Sequence, residues 1–236
     1  MAKISENLMV KIEAVKQVLA KIGTDYNPAT LASSYGAEDM VLMDLICKFT
    51  PEIEIFTLDT GRLPKETYEV MQEAKAHYNR EVKVYFPDAE DVGSYITQQG
   101  PNAFYDSVEL RKQCCGMRKV KPLKRALADK KAWLTGMRRS QAVTRSELPV
   151  SEYDDDHGLQ KFSPLTDWSN GDIWAYIRAF DVPYNKLHDE GYASIGCAPC
   201  TRAITAGEDI RAGRWWWENP ESKECGLHVK APTLEK

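Results

Sequence analysis

Apolar residues near the N-terminus recur at helical spacing, with lysine and glutamate between them. They predict an amphipathic first helix within residues 1–23, whose apolar face consists of Ile4, Leu8, Ile12, Val15 and Leu19. This segment lacks the continuous apolar core of a signal peptide. No other stretch approaches the roughly 18–20 apolar residues that a membrane span needs. We therefore expect a cytoplasmic protein without a membrane partner.

Short apolar runs alternate with helical patterns through the rest of the first half. Strands are predicted over residues 29–35, 52–59, 82–87 and 131–136. Helices are predicted over residues 37–49, from Pro64 to about His77, 88–99 and 115–128. This alternation predicts an α/β fold, in which helices cover both faces of a doubly wound, mostly parallel sheet.

The pattern is weaker towards the C-terminus. The basic helix over residues 115–128 should start or kink at Pro122. Residues 137–160 are polar and predict a loop, and a further amphipathic helix should end near Phe180. The last 45 residues show little periodicity. We therefore divide the chain into an α/β domain, residues 1–203, and an irregular C-terminal segment, residues 204–236.

Length and charge narrow the function further. A chain of 236 residues suits one α/β domain with a modest appendage. The formal net charge is only −4, so a global basic field that would attract nucleic acid is absent. We expect no nucleic-acid partner.

The six cysteines are more typical of metal binding or catalysis than of disulfides in a reducing compartment. Cys197 and Cys200 form a C-x-x-C, whereas Cys114 and Cys115 are adjacent. Two adjacent residues would strain to chelate one tetrahedral ion, while an iron–sulfur cube offers each thiolate its own iron. Spacing therefore favours a cluster, and leaves a zinc site or a redox motif open.

Two cysteines stand alone in the sequence. Cys225 lies near the C-terminus beside Gly226, where it is either a nucleophile or an ordinary surface thiol. Cys47 falls inside an apolar helical run and is interpreted as a small buried hydrophobe.

Two turns and a set of basic residues suggest an anion site. The turn at residues 33–39 joins a strand to a helix, and Leu58-Asp59-Thr60-Gly61 follows the next strand. Several basic residues surround the cysteine pair or follow the fourth strand. They are Arg111, Lys112, Arg118, Lys119, Lys121, Lys124, Arg125, Arg138, Arg139 and Arg145, with Arg211 and Arg214 nearer the C-terminus. They form either a solvated face or a site for phosphate or sulfate oxygens.

Taken together, these motifs resemble the assimilatory adenylyl-sulfate reductases, of the PAPS/APS reductase family. The resemblance spans about residues 30–228. It rests on Cys114-Cys115, Arg118-Lys119-Val120, Trp133-Leu134-Thr135-Gly136, Arg138, Gln141, Thr144-Arg145, Cys197-x-x-Cys200-Thr201-Arg202, Gly213-Arg214-Trp215-Trp216 and Glu224-Cys225-Gly226-Leu227-His228. It implies an adenine-nucleotide α-hydrolase-like (Rossmann-like) fold and a homo-oligomer, either a dimer or a tetramer.

The resemblance also implies a chemistry. Cys225 would be the catalytic nucleophile, thioredoxin the reductant and adenosine 5′-phosphosulfate the substrate. A [4Fe-4S] cluster would be held by Cys114, Cys115, Cys197 and Cys200. Substrate-binding positions carried over from the family are Ser33, Ser34, Gly36, Leu58, Lys119, Gly136, Arg145, Arg211, Arg214 and His228.

Three alternatives remain open. Relatives that reduce the 3′-phosphorylated nucleotide usually lack both cysteine pairs, but a dual-specificity enzyme fits the motifs as well. An ATP-dependent tRNA-thiolating enzyme shares the fold, although it would call for a Ser-Gly-Gly turn where this chain has Ser34-Tyr35-Gly36. A zinc-stabilised binding protein would use the cysteines as structural ligands only.

Overall fold

The computed structural model describes residues 4–141 and 145–219. Seven named helices lie in this part of the chain: α1 Glu6–Asp25, α2 Ala37–Phe49, α3 Lys65–Tyr78, α4 Ala89–Gln99, α5 Val108–Cys115, α6 Lys121–Leu127 and α7 Asn170–Phe180. The strands are β1 Ala29–Ala32, β2 Glu54–Leu58, β3 Lys83–Tyr85, β4 Ala132–Leu134, β5 Ser151–Asp154 and β6 Leu159–Phe162. Short 3₁₀ turns connect several of them.

The strands form one sheet in the order β3-β2-β1-β4-β6-β5. The pairs from β3 to β6 are parallel, and β5 pairs antiparallel with β6 at the edge. Because side chains alternate across a strand, neighbouring residues serve opposite faces. Ile55 belongs to the large core under α1, α2 and α7, whereas Phe56 packs with Leu123 of α6 on the other face. The doubly wound α/β prediction is confirmed.

The predicted loop over residues 137–160 is wrong in its second half. A β-hairpin stands there, since β5 and β6 are paired from Ser151–Phe162 to Asp154–Leu159. Gly158 supplies the positive φ of 70° that the turn requires. The run of aspartates hides the hairpin in the sequence, because the aspartates lie in and beside the turn and not in the buried strand.

The basic helix also differs from its prediction. It begins at Val108, where the Ser107 hydroxyl accepts a hydrogen bond from Leu110 N–H, and not near residue 115. A π turn at Gly116–Val120 follows, with Lys121 N–H bonded to the Gly116 carbonyl, and α6 then starts at Lys121 with Pro122 in its first turn, close to the predicted position. A π turn inserts an extra residue, so it re-aims the side chains that follow the cysteine pair.

Within the described residues, every helix is too short or too polar to cross a membrane.

Candidate active site

A cavity of about 260 Å³ opens at the carboxyl ends of β1, β2 and β4. Strand β1 is flanked by β2 on one side and by β4 on the other, so the chain reverses its direction of winding here. Open α/β sheets bind ligands at this kind of position, because the turns after neighbouring strands diverge and leave a crevice.

The first wall of the cavity is the turn after β1. Ser33 is held by a hydrogen bond from its N–H to the Phe56 carbonyl (2.8 Å), and its hydroxyl accepts from Tyr35 N–H (3.2 Å). Tyr35 adopts a positive φ of 59°, and its ring is buried. The turn thereby leads into the N-terminus of α2 beside Gly36, a position at which backbone N–H groups favour an anion.

Asp39 ties this turn to the loop after β4. One carboxylate oxygen accepts from Ser34 N–H (2.7 Å) and from the Ser34 hydroxyl (2.6 Å). The other oxygen accepts from Gly136 N–H (3.1 Å). Burial raises the pKa of Asp39 to about 6, although the bonds from Ser34 and Gly136 oppose the rise. One carboxylate therefore sets the spacing between two walls of the cavity.

A buried ion pair supports the same region. Arg138 donates from Nε (3.0 Å) and Nη2 (2.5 Å) to Oε1 of Glu38, and from Nη1 to the Ser140 hydroxyl (2.7 Å). The Arg138 side chain is 1% exposed. Its hydrogen bonds are thus committed to holding the loop after β4 in place.

Cationic side chains come to the cavity from three other segments. Lys119 comes from the π turn, Arg145 follows the loop after β4, and Arg211 and Arg214 come from the C-terminal segment. Arg145 donates to the Gln141 side chain (2.6 Å), and the guanidinium of Arg214 lies 4.6 Å from the centre of the Trp215 ring. Such a cavity can hold the phosphate or sulfate oxygens of a ligand.

Nine of the ten substrate-binding residues predicted from sequence line this one cavity: Ser33, Ser34, Gly36, Leu58, Lys119, Gly136, Arg145, Arg211 and Arg214. The tenth, His228, and the predicted nucleophile Cys225 lie outside the described residues. The part each residue plays in binding or catalysis stays a prediction, as does the domain boundary at residue 203.

Three of the predicted ligand cysteines come together beside the cavity. Cys197 and Cys200 are buried with Phe104 and Trp215, and Cys114 packs against the same group. Cys115, the next residue along α5, is a hydrogen-bond partner of the Arg111 side chain. Cys47 is elsewhere, at the edge of the large core, where it is partly exposed and so less buried than predicted.

Nearby cations offset part of the cost of placing negative charge on these thiols. Burial raises the pKa of Cys114 and raises that of Cys200 to about 12, and the other thiols add to the rise. Arg118 opposes the rise at Cys114, while Lys119 and Arg214 oppose it at Cys200. Lys119 and Arg214 also line the cavity, so the same charges act on both places.

The turn after β2 joins the cavity to the cysteines. The Thr60 hydroxyl lies 3.3 Å from Cys197 Sγ, and Arg118 Nη1 donates to the Thr60 carbonyl (2.6 Å). The Arg62 carbonyl accepts from Ala198 N–H (2.8 Å) within the C-x-x-C turn. Since Thr60 also lines the cavity, the two sites share a wall.

The donor set consists of thiols, which are the ligands that an iron–sulfur cluster takes. In the described ranges, no three Cys, His, Asp or Glu side chains converge closely enough to chelate one metal ion. A four-iron cluster instead takes one thiolate per iron, so its ligands are spread around it. Three grouped thiols, with Cys115 next to Cys114 on α5 and cations nearby, are compatible with this larger anionic group.

Comparison with known proteins settles the family. Residues 28–203 match the model of the phosphoadenosine phosphosulfate reductase domain. The chain belongs to the phosphoadenosine phosphosulfate reductase family. It is 52% identical to the adenosine 5′-phosphosulfate reductase of Allochromatium vinosum over 95% of this chain and 88% of that protein. The protein of the same name from Burkholderia cepacia is 50% identical, over 98% of this chain and 92% of its own length.

A solved structure agrees with this family. The phosphoadenylyl-sulfate reductase from Candida auris, crystallised as a phosphate complex, superposes with a TM-score of 0.70 at 26% identity. The superposition covers 86% of this chain and 98% of the other.

Three residues of this reductase-family site were not predicted from its sequence as site residues. Asp39 and Glu38 lie in the first turn of α2. Acidic residues are common in the first turn of any helix, because they interact favourably with its N-terminus. The sequence therefore does not distinguish these two as site residues. His188 lines the cavity, and its Nδ1 lies 2.8 Å from the Tyr192 carbonyl. Because a carbonyl only accepts, Nδ1 carries the proton, and no neighbouring motif marks this histidine.

Gly136→Ala should destabilise the protein by about 1–3 kcal/mol, because a methyl group there meets packed atoms. Its Cβ would lie 2.4 Å from an oxygen of Asp39 and 2.8 Å from Cβ of Glu38. Urea unfolding gives the free energy. Gly93→Ala is the matched control: nothing lies within 4 Å of its Cβ on α4, so it should gain about 0.4–1 kcal/mol. Equal stability of the two variants would contradict the packing described here.

The buried carboxyl of Asp39 predicts a pH dependence of stability. With its pKa raised to about 6, the folded state keeps a proton that the unfolded chain has lost. Stability from this group is therefore present below about pH 4 and is lost as the pH rises through about 6. Relative to Asp39→Asn, the native chain should lose on the order of 2 kcal/mol across this window in urea unfolding. A difference that does not change with pH would show that Asp39 is not protonated there.

Proposed function

We propose that this reductase-family chain converts adenosine 5′-phosphosulfate into sulfite and AMP with electrons from thioredoxin, in assimilatory sulfate reduction and cysteine biosynthesis in the cytoplasm. The observation that carries the proposal is that the cavity and the group of cysteines share residues. A cationic cavity at the edge of the sheet shares Thr60, Lys119 and Arg214 with the group of cysteines. Two adenosine 5′-phosphosulfate reductases, about half identical to this chain over nearly its whole length, support it.

The nucleotide would occupy the cavity. Leu58 lies at its apolar side, near where the adenine is expected, and Gly136 lets the loop after β4 approach closely. The turn at Ser33, Ser34 and Gly36 offers hydroxyl and N–H donors to the anionic end. Lys119, Arg145, Arg211 and Arg214 would hold the phosphosulfate and offset its charge against the approaching thiolate.

Cys225 would carry the first chemical step. Its thiolate attacks the sulfur of the sulfate group, so an S–S bond forms while the S–O bond to the phosphate breaks. AMP leaves with that oxygen and the electron pair, and Cys225 becomes an S-sulfocysteine. His228 would orient this segment or tune the thiol.

Thioredoxin would complete the cycle. One of its thiolates attacks Cys225 Sγ and displaces sulfite with the electrons of the S–S bond. Its second thiol then releases Cys225 and leaves thioredoxin as a disulfide. Two electrons thus pass from thioredoxin to the sulfate sulfur, which accounts for the sulfite formed.

Cys114, Cys115, Cys197 and Cys200 would hold a [4Fe-4S] cluster. When bound, it supplies a fixed anionic centre beside the cavity that transfers no electrons to the substrate. Arg118 would balance its charge next to Thr60, while Lys119 extends from the same π turn towards the nucleotide.

A reductase for the 3′-phosphorylated nucleotide, or one of dual specificity, is the second candidate. It is favoured by the likeness to the Candida auris enzyme. We expect kcat/KM for adenosine 5′-phosphosulfate to exceed that for the phosphorylated nucleotide by about tenfold or more, because relatives at about 50% identity carry the name of the simpler substrate. Steady-state rates with thioredoxin measure it. Faster turnover of the phosphorylated nucleotide would reverse the assignment.

The covalent step can be observed directly. Mixed with adenosine 5′-phosphosulfate in the absence of thioredoxin, the protein should gain about 80 Da, one sulfonate group, at Cys225. Peptide mass spectrometry locates it. Cys225→Ser should bind the nucleotide, gain no mass and be inactive, whereas Cys47→Ser, at the edge of the core, serves as the matched control and should react normally. Full activity of Cys225→Ser would refute the mechanism.

The cluster predicts a colour and a metal content. Protein purified without oxygen should contain about four irons per chain and absorb near roughly 400–420 nm. Cys197→Ser should lose most of the iron, since Cys197 lies at the centre of the grouped thiols. Metal analysis that finds one zinc and no iron would instead support the zinc-stabilised protein.

A further inference from the structure

A buried ion pair joins α5 to the last described residues of the chain. Arg111 donates from Nε to Oε1 of Glu218 (2.6 Å) and from Nη2 to Oε2 (2.8 Å). The side chains are 1% and 4% exposed, although the two residues are 107 positions apart. Two parallel bonds between planar groups fix orientation as well as distance.

The pair is continuous with the wall of the cavity. The guanidinium of Arg111 lies 4.7 Å from the centre of the Trp215 ring, while Arg214 contacts the same ring and lines the cavity. Trp215 N–H donates to the Cys200 carbonyl (3.2 Å), and Glu218 N–H donates to the Trp215 carbonyl (2.9 Å). Arg111 is also a hydrogen-bond partner of Cys115. Glu218 therefore closes a turn that starts at the cavity and rests on the helix of the cysteine pair.

A buried ion pair adds little to the free energy of unfolding. Removing two charges from water costs about as much as their attraction returns, and apolar residues of equal volume often do as well. The ion pair instead fixes the position of the C-terminal segment against α5. If the Glu218 carboxylate shifted, the charge of Arg111 would be left buried without a counter-ion.

The geometry points to Arg111 and Glu218 as positioning residues that fix the start of the segment carrying Cys225 at the rim of the cavity. This inference rests on the function proposed for Cys225. Cys225 is the seventh residue after Glu218, so a fully extended chain between them spans at most about 25 Å. Anchoring at Glu218 confines the thiol to that radius around Glu218, next to the Trp215 wall of the cavity, and so raises its effective concentration at the cavity.

The test compares Glu218→Gln with the native, cluster-loaded, full-length protein. Each is mixed with adenosine 5′-phosphosulfate without thioredoxin, and sulfonation of Cys225 is followed by quenched mass spectrometry. Nucleotide affinity is measured by calorimetry in Cys225→Ser backgrounds, and iron content is checked for each variant. Glu218→Gln should slow sulfonation about tenfold or more while the dissociation constant changes less than about threefold, because the anchor acts on the thiol and not on the nucleotide.

Two further variants test the assignment to the anchor. Glu218→Asp keeps the charge and should recover part of the lost rate. Glu208→Gln breaks the more exposed pair with Arg202 (2.7 Å) in the same C-terminal segment and should react at the native rate. If Glu218→Gln does not fold, Arg111→Lys, which keeps the charge and loses the paired hydrogen bonds, takes its place.

The outcomes separate the anchor from the function on which it rests. A sulfonation rate within about twofold of native in Glu218→Gln would overturn the anchor. So would a loss of rate matched by an equal loss of nucleotide affinity or of iron, since the pair would then only support the fold. Absence of any adduct on Cys225 in the native protein would overturn the proposed mechanism itself, and the anchor with it.

Discussion

The placement of positive charge at the carboxyl edge of the sheet is the constraint on which the rest of the site depends. Grouped thiols and a cavity lined by cations share this edge, and under the proposed function each would accumulate negative charge. Lys119 and Arg214 line the cavity and also oppose the rise in the pKa of Cys200 that burial causes, while Arg118 opposes the rise at Cys114. Without these cations, negative charge in one site would make it energetically more costly to place negative charge in the other.

Local backbone features place those charges. The π turn at Gly116–Val120 follows the cysteine pair directly, so Arg118 reaches the Thr60 carbonyl while Lys119 reaches the cavity. Gly196 lies against Arg214: a Cβ there would stand 2.4 Å from Nη2 of that guanidinium. Lys119 and Arg214 come from segments that are far apart in sequence, and the fold brings both side chains to the same cavity.

Much of this arrangement could be predicted from the sequence, for identifiable reasons. Buried parallel strands appear as short apolar runs, and the spacing of the paired cysteines favours a cluster while leaving zinc or a redox motif open. The hairpin of β5 and β6 was missed because its alternation is interrupted by charge: Lys161 is buried against Trp133 and paired with Glu152 (3.0 Å). The contacts of Asp39 with Gly136 and of Arg111 with Glu218 join residues distant in sequence, so no local pattern marks them.

The central claim is that one set of cations serves both the cysteines and the nucleotide, and Lys119→Gln tests it most directly. The measurement is the dissociation constant for adenosine 5′-phosphosulfate in cluster-loaded protein, recorded together with the visible spectrum before and after the nucleotide is added. Shared charge predicts affinity weaker by about tenfold or more, with a nucleotide-induced spectral change that is present in the native protein and lost in the variant. Native affinity and an unaltered spectral response in Lys119→Gln would contradict it.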